Sequence, residues 1–141
     1  MKIDKYEFPD DLYYDREHNW ARIDGNVVTQ GMTDFAQAIA GEILYTDVPR
    51  VGRVVEQGKP FMSMESGKWV GRVKAVASGK VVGANADLES DSNHINKDPY
   101  GKGWLVRIEA SNLAAELGAL LRASDPAYAE HIRAERAKYG K

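Results

Sequence analysis

Pro60-Phe61-Met62-Ser63-Met64-Glu65-Ser66-Gly67-Lys68-Trp69-Val70-Gly71-Arg72-Val73-Lys74-Ala75-Val76 is the stretch on which the reading of this chain turns. Two strand-like runs, Pro60 to Glu65 and Val70 to Val76, flank Glu65-Ser66-Gly67-Lys68-Trp69. Ser66-Gly67 permits a tight turn, because glycine tolerates positive φ. A two-residue turn there places Lys68 at or beside the tip of a hairpin. A lysine at a tip is most often a solvated surface residue. It is also where a modifying enzyme can reach an amine and attach a prosthetic group as a mobile arm. Periodicity alone does not choose between these readings. Trp69 reads as a half-buried strand residue.

Outward from the hairpin, Ala21 to Arg107 is a succession of short strands and turns. Ala21-Arg22-Ile23 and Asn26-Val27-Val28-Thr29 flank the turn signal Asp24-Gly25. Ile43 to Val48 is stopped by Pro49. Val51 to Val55, Lys80 to Val82 and Trp104 to Ile108 follow the same style. Glycine or proline punctuates nearly every gap, which predicts a sandwich or irregular barrel. One helix interrupts, with Thr33 as N-cap, Phe35 and Ile39 on one face and Gly41 as the stop. The tail changes period. Leu113, Leu117, Leu120 and Leu121 after Ser111 predict an amphipathic helix, and Asp125-Pro126 opens a second that carries Tyr128, Ile132, Glu135 and Tyr139 on one face. The expected organisation is one domain over 1–141, with a β core at about 16–108 and a helical extension at about 111–139. These helices are expected either to pack on the core or to dock a partner.

Composition limits the chemistry. The 141 residues carry 19 Lys+Arg against 21 Asp+Glu, a net charge of -2, which argues against a globally basic nucleic-acid binder. Cysteine is absent, so a disulfide scaffold, a thiolate metal site and a cysteine nucleophile are excluded. Any redox chemistry must be added to the chain. The start MKIDKYEFPDDLYYD has no apolar core of a secretory signal, and no apolar run approaches a membrane span. A cytoplasmic location and a monomer are the expectations.

Other motifs are weaker. Gly67-Lys68 is not a phosphate loop, because Met62 and Trp69 occupy its glycine and serine places. Asp87, Glu89, Asp91 and Asp98 resemble a calcium loop only loosely and are expected to form a solvated acidic loop. His18, His94 and His131 lie far apart in sequence, without the close spacing of a zinc pair, so no metal site is expected. No acid, base and nucleophile set converges, so the chain is not expected to be an enzyme by itself.

Several motifs, in order, resemble the H protein of the glycine cleavage system. They are Glu17-His18-Asn19-Trp20, Gly31 to Gln37, Gly41-Glu42-Ile43 to Pro49, Val51-Gly52, Glu65-Ser66-Gly67-Lys68, Ser78 to Val82 with Asn85, and Asp98 to Trp104. The resemblance implies a mainly β, barrel-sandwich hybrid fold with a short internal helix and C-terminal helices. It also implies lipoate on Lys68, where the family has Glu-Ser-Val-Lys. Glu65, Ser66 and Gly67 would form the turn read by a lipoate ligase or lipoyl transferase, with dihydrolipoamide dehydrogenase as a further partner.

Two positions depart from the family. Its usual His-Glu-Trp is His18-Asn19-Trp20 here, and its usual Ser-Asp after the lysine is Gly71-Arg72. A carboxylate is neutralised at Asn19 and another reversed at Arg72, in what would be the arm's pocket with His18. A cationic aminomethyl cargo loses support there, and arginine suits an anion. Glu65-Ser66-Gly67-Lys68-Trp69-Val70-Gly71, Phe8 to Asp11 and the helical tail are more similar to lipoate-binding proteins of sulfur-oxidising bacteria. That likeness implies an arm that shuttles covalently bound sulfur to a heterodisulfide-reductase-like complex in the cytoplasm. The charged residues from Ser66 to Lys80 are Lys68, Arg72, Lys74 and Lys80, a basic stretch that suits acidic partner entrances.

Overall fold

The computed structural model describes residues 1–141. The Asp24-Gly25 signal marks a real hairpin. β4 (Asn19–Asp24) pairs with β5 (Val27–Met32) from Asn19↔Met32 to Asp24↔Val27. Gly25 takes φ +61 at the turn. Thr33 then starts α1 (Asp34–Ala40), its Oγ1 accepting the Ala36 N–H at 3.1 Å. Gly41, at φ +78, ends it. The helix therefore has its sequence-predicted cap and stop and the hairpin its predicted turn, because those signals are local, while both strands run longer than the expected 21–23 and 26–29, over Asn19–Asp24 and Val27–Met32.

The remaining strands are β1 (Lys2–Ile3), β2 (Tyr6–Glu7), β3 (Tyr13–Tyr14), β6 (Ile43–Asp47), β7 (Val54–Val55), β8 (Pro60–Ser66), β9 (Val70–Lys74), β10 (Gly79–Ala84), β11 (Val106–Ala110) and β12 (Leu121–Arg122). One sheet has seven strands in the order β12-β3-β4-β5-β11-β10-β7, and a second has β6-β8-β9. β1 and β2 form a separate ribbon. This is the mainly β barrel-sandwich hybrid architecture that was expected. Met62, Met64, Val73, Val81, Ile108 and Leu105 fill the core that contains the inward side of the hairpin. A second cluster packs Phe8, Tyr14, Trp20 and Phe35 under Tyr128 and Ile132 of α5 (Pro126–Tyr139).

Four expectations are corrected. The leucine-rich tail does not form one amphipathic helix. Only α4 (Leu113–Glu116) is α-helical, a 3₁₀ turn follows at Leu117–Ala119, and Leu121 enters β12 against Tyr14. Gly118 weakens a helix here. Tertiary bonds also capture its end: the Glu116 carboxylate accepts the Ser78 N–H at 2.7 Å, and the Glu116 carbonyl accepts from Gln57 Nε2 at 3.0 Å. Secondly, β structure reaches outside 16–108, since the N-terminal ribbon, β3 and β12 all contribute. Thirdly, the acidic stretch is not a plain loop. It forms α2 (Asp87–Ser90), followed by α3 (His94–Lys97), because Leu88 and Ile95 are fully buried anchors. Finally, Val51 to Val55 shortens to β7, with Val54 exposed.

Candidate functional site

Register sets the tip of the hairpin. Glu65 pairs with Val70, so Gly67 and Lys68 are the two central residues of the turn. The Ser66 N–H donates to the Trp69 carbonyl at 2.7 Å and closes it. The Ser66 hydroxyl adds a contact to the Trp69 carbonyl and accepts from the Lys68 N–H, both at 3.4 Å. Ser66 points inward and is buried, whereas Glu65 points outward. Gly67 does not adopt positive φ, and a Cβ built on it meets nothing within 4 Å. The turn thus does not need glycine for the reason the sequence suggested. Trp69 is not in a strand. It sits between the tip and β9, 37% exposed, with its indole laid over Gly71.

Lys68 is exposed and makes no ion pair. Its stem folds back toward the end of α1, with Cε 3.0 Å from where a Gly41 Cβ would stand. Any larger residue at Gly41 would meet that stem, and the positive φ there disfavours one in any case. The outer face beside the tip is apolar at two points. Tyr45, Glu65 and Val70 form one row across β6, β8 and β9, and Tyr45 and Val70 are 68% and 71% exposed.

Behind the tip lies a cleft of about 190 Å³, with Met32, Ala36, Ile39 and Ala40 among its apolar walls. The adjacent His18 and Asn19 and the sequence-remote Arg72 all line it, together with Trp69, Lys74 and Tyr139. The three sequence-picked pocket residues are thus brought together within reach of the turn. Their polar ends are differently employed. Asn19 is 3% exposed, and its Nδ2 donates to Asp15 Oδ2 at 3.0 Å. Asp15 also accepts the backbone N–H groups of Asn19 at 2.8 Å and Glu17 at 3.0 Å. Burial nevertheless raises the Asp15 carboxyl to about 6, against those bonds and with Glu17 nearby. The guanidinium of Arg72 has no acceptor among the hydrogen bonds or ion pairs of the fold, and it stays free at the rim.

His18 is held at φ +69, and its Nε2 donates to Glu135 Oε1 at 3.0 Å. Its ring meets Phe35 edge-on at 5.2 Å and stacks on His131 at 5.6 Å. Burial lowers its basicity, and the Glu135 carboxylate opposes that effect. The sequence reading found neither this junction nor the approach of His131 to His18. It also missed Glu17, Lys74, Trp69 and Tyr139 as cleft residues. The face of α5 bearing Glu135 and Tyr139 was legible, but its landing place was not. Glu17 corrects the electrostatic reading. A carboxylate does line the cleft, but Lys74 Nζ pairs with it at 3.2 Å. That pair also removes Lys74 from the expected run of free basic residues.

The fold is a barrel-sandwich hybrid with an exposed lysine on a hairpin turn beside a cleft. The family model described as glycine cleavage H-protein matches residues 12–134. The glycine cleavage system H protein of Symbiobacterium thermophilum is 46% identical over 116 residues, covering 82% of this chain and 90% of that protein. That of Carboxydothermus hydrogenoformans is 44% identical over 117 residues, 83% and 89% of the two chains. The crystal structure of a glycine cleavage system H protein from Mycobacterium marinum superposes with a TM-score of 0.77 at 31% identity, covering 95% of this chain and all 100% of that one. The chain belongs to the glycine cleavage H-protein family. H proteins of that family carry lipoate covalently on a lysine and act as carriers rather than catalysts. No helix is long and apolar enough to cross a membrane.

Proposed function

We propose that this chain is a lipoyl carrier with Lys68 as the attachment residue and the cleft behind it as the arm's resting place. The observation that carries the proposal is the pairing of Glu65 with Val70, which leaves an unpaired Lys68 on the turn next to that cleft. Glu65, Ser66 and Gly67 are the turn a lipoate ligase or lipoyl transferase would read. When attached, lipoate supplies a dithiolane that alternates between disulfide and dithiol, the thiol chemistry a cysteine-free chain lacks. Dihydrolipoamide dehydrogenase would reoxidise it. The protein's own part is to hold the turn with Ser66, present the amine and shelter the arm between α1, β9 and Trp69. Incubation with a lipoate ligase, lipoate and ATP should add lipoyl mass to wild type and none to Lys68→Arg. Lipoyl mass on Lys68→Arg would overturn the assignment.

The relatives' names support a glycine-derived aminomethyl group as cargo. A second reading has its own observation. Asn19 and Arg72 line the cleft, and the Glu17 carboxylate there is already taken by Lys74. This balance suits an anionic or neutral cargo better than an ammonium, and it supports shuttling of sulfur intermediates to a heterodisulfide-reductase-like complex. The deciding assay is methylamine loading by glycine decarboxylase of the lipoylated protein beside a genuine H protein. Equal loading removes the sulfur reading. Poor loading, improved by Arg72→Asp at the free rim position, supports the charge argument. That restored contact is worth about 1–3 kcal/mol when partly desolvated, roughly five- to more than a hundredfold in loading. A sulfur adduct on the Lys68 arm in native cells would be direct support for the second reading.

A further inference from the structure

Where α5 meets the turn before β4, His18 lines the arm's cleft, but His131 and Glu135 do not. His18 comes from that turn, and His131 and Glu135 come from α5, four residues apart and so on one helical face. We propose that His18, His131 and Glu135 form a binding site for a divalent transition-metal ion of the zinc class. One ligand atom from each lies within 4.8 Å of both others, and His18 Nε2 and Glu135 Oε1 are already 3.0 Å apart. Bonds of about 2.0–2.2 Å in a four-coordinate site put ligand atoms roughly 3.4 Å apart. Side-chain rotation covers the difference, turning the two imidazoles out of their stacked arrangement.

The supports of the three side chains resemble those of a built site. The His131 Nε2–H donates to the Arg16 carbonyl at 2.9 Å, which leaves Nδ1 with a free lone pair. Metal-binding histidines are commonly oriented by such a bond through the second ring nitrogen. Since a carboxylate only accepts, the His18 Nε2–H donates to Glu135, and His18 Nδ1 is left buried without any hydrogen-bond partner. His131 offers its Nδ1, whereas His18 faces Glu135 with Nε2 and ligates there once the ring proton moves from Nε2 to the unpartnered Nδ1. His18 also keeps a left-handed backbone that is unfavourable for a non-glycine residue, fixed by the Asp15 bonds to Glu17 and Asn19. Tyr128 and Ile132, fully buried, hold α5 in place opposite. Two imidazoles and one carboxylate suit Zn²⁺, Co²⁺ or Ni²⁺ and not Ca²⁺ or Mg²⁺, which want oxygen ligands. Three protein ligands leave one position for water or a further ligand.

The test uses the full-length unmodified chain, so its outcome is independent of lipoylation. Titration with Co²⁺ should produce a visible absorption band that saturates at one ion per chain and is displaced by Zn²⁺. His131→Ala and Glu135→Gln should each weaken Co²⁺ binding by at least about tenfold, with far-UV circular dichroism unchanged. Glu135→Gln keeps a hydrogen-bond acceptor for His18, so it remains decisive if His131→Ala perturbs the helix. His94→Ala should change nothing. No band at millimolar Co²⁺, or a band retained in the His131→Ala, Glu135→Gln double variant, overturns the proposal.

Discussion

Alanine at Gly67 and alanine at Gly71 should shift stability in opposite directions, although both glycines belong to one hairpin. At Gly67 the backbone is outside the left-handed region and a Cβ would touch nothing within 4 Å. Alanine therefore costs the folded state little and narrows the unfolded ensemble, a gain of about 0.4–1 kcal/mol. Unfolding entropy near 2.1 cal/mol/K per residue amounts to about 0.3 kcal/mol/K for a chain of this size, so Tm should rise by about 1–3 °C. At Gly71 a Cβ would overlap the Trp69 indole. That indole is 37% exposed and free to swing away, so the strand itself need not distort. Losing much of the contact between the indole and the hairpin should cost about 1–3 kcal/mol, a fall of roughly 3–9 °C. Thermal melts by circular dichroism measure both. Tryptophan emission separates them further: Gly71→Ala should red-shift it as Trp69 leaves the cleft wall, and Gly67→Ala should not. A destabilised Gly67→Ala would mean the turn does require glycine. An unshifted, fully stable Gly71→Ala would mean the indole does not lie on that strand.

Three further outcomes follow from named contacts. Asp15 has a folded-state pKa of about 6 against 3.8 for the free group, so the folded protein holds its proton more tightly. Its favourable contribution is complete below about pH 4 and is lost as pH rises through about 6, by roughly 3 kcal/mol in all at about 1.4 kcal/mol per unit. Urea unfolding of wild type and Asp15→Asn across this window should show the slope only in wild type; parallel slopes would refute it. The Tyr128 hydroxyl is buried without a hydrogen-bond partner, so Tyr128→Phe should stabilise by about 1 kcal/mol in a chemical-denaturation assay. Thr33→Ala removes the bond from Oγ1 to the Ala36 N–H at 3.1 Å. It should cost about 0.5–2 kcal/mol, with Thr33→Asn restoring most of the loss.

Local signals were sufficient where the interaction is itself local. The Asp24-Gly25 turn, the Thr33 cap, the Gly41 stop and the Asp125-Pro126 helix start were legible because each joins residues a few positions apart. Lys68 was placed at a tip by the same logic, since the length of a turn fixes which residues lie between paired strands. Tertiary structure decided everything that depends on distant surfaces meeting. The leucine spacing of the tail looked helical, yet Glu116 bonds to Ser78, and Leu121 pairing with Tyr14 pulled the segment into a strand. The cleft's charge balance was not legible either, because Glu17 neutralises Lys74 only once the turn before β4 lies against β9. His18, His131 and Glu135 carry no common motif in the chain. They converge because buried Tyr128 and Ile132 dock α5 beside Phe35, a packing choice in which every apolar contact contributes and no short stretch of sequence records the result.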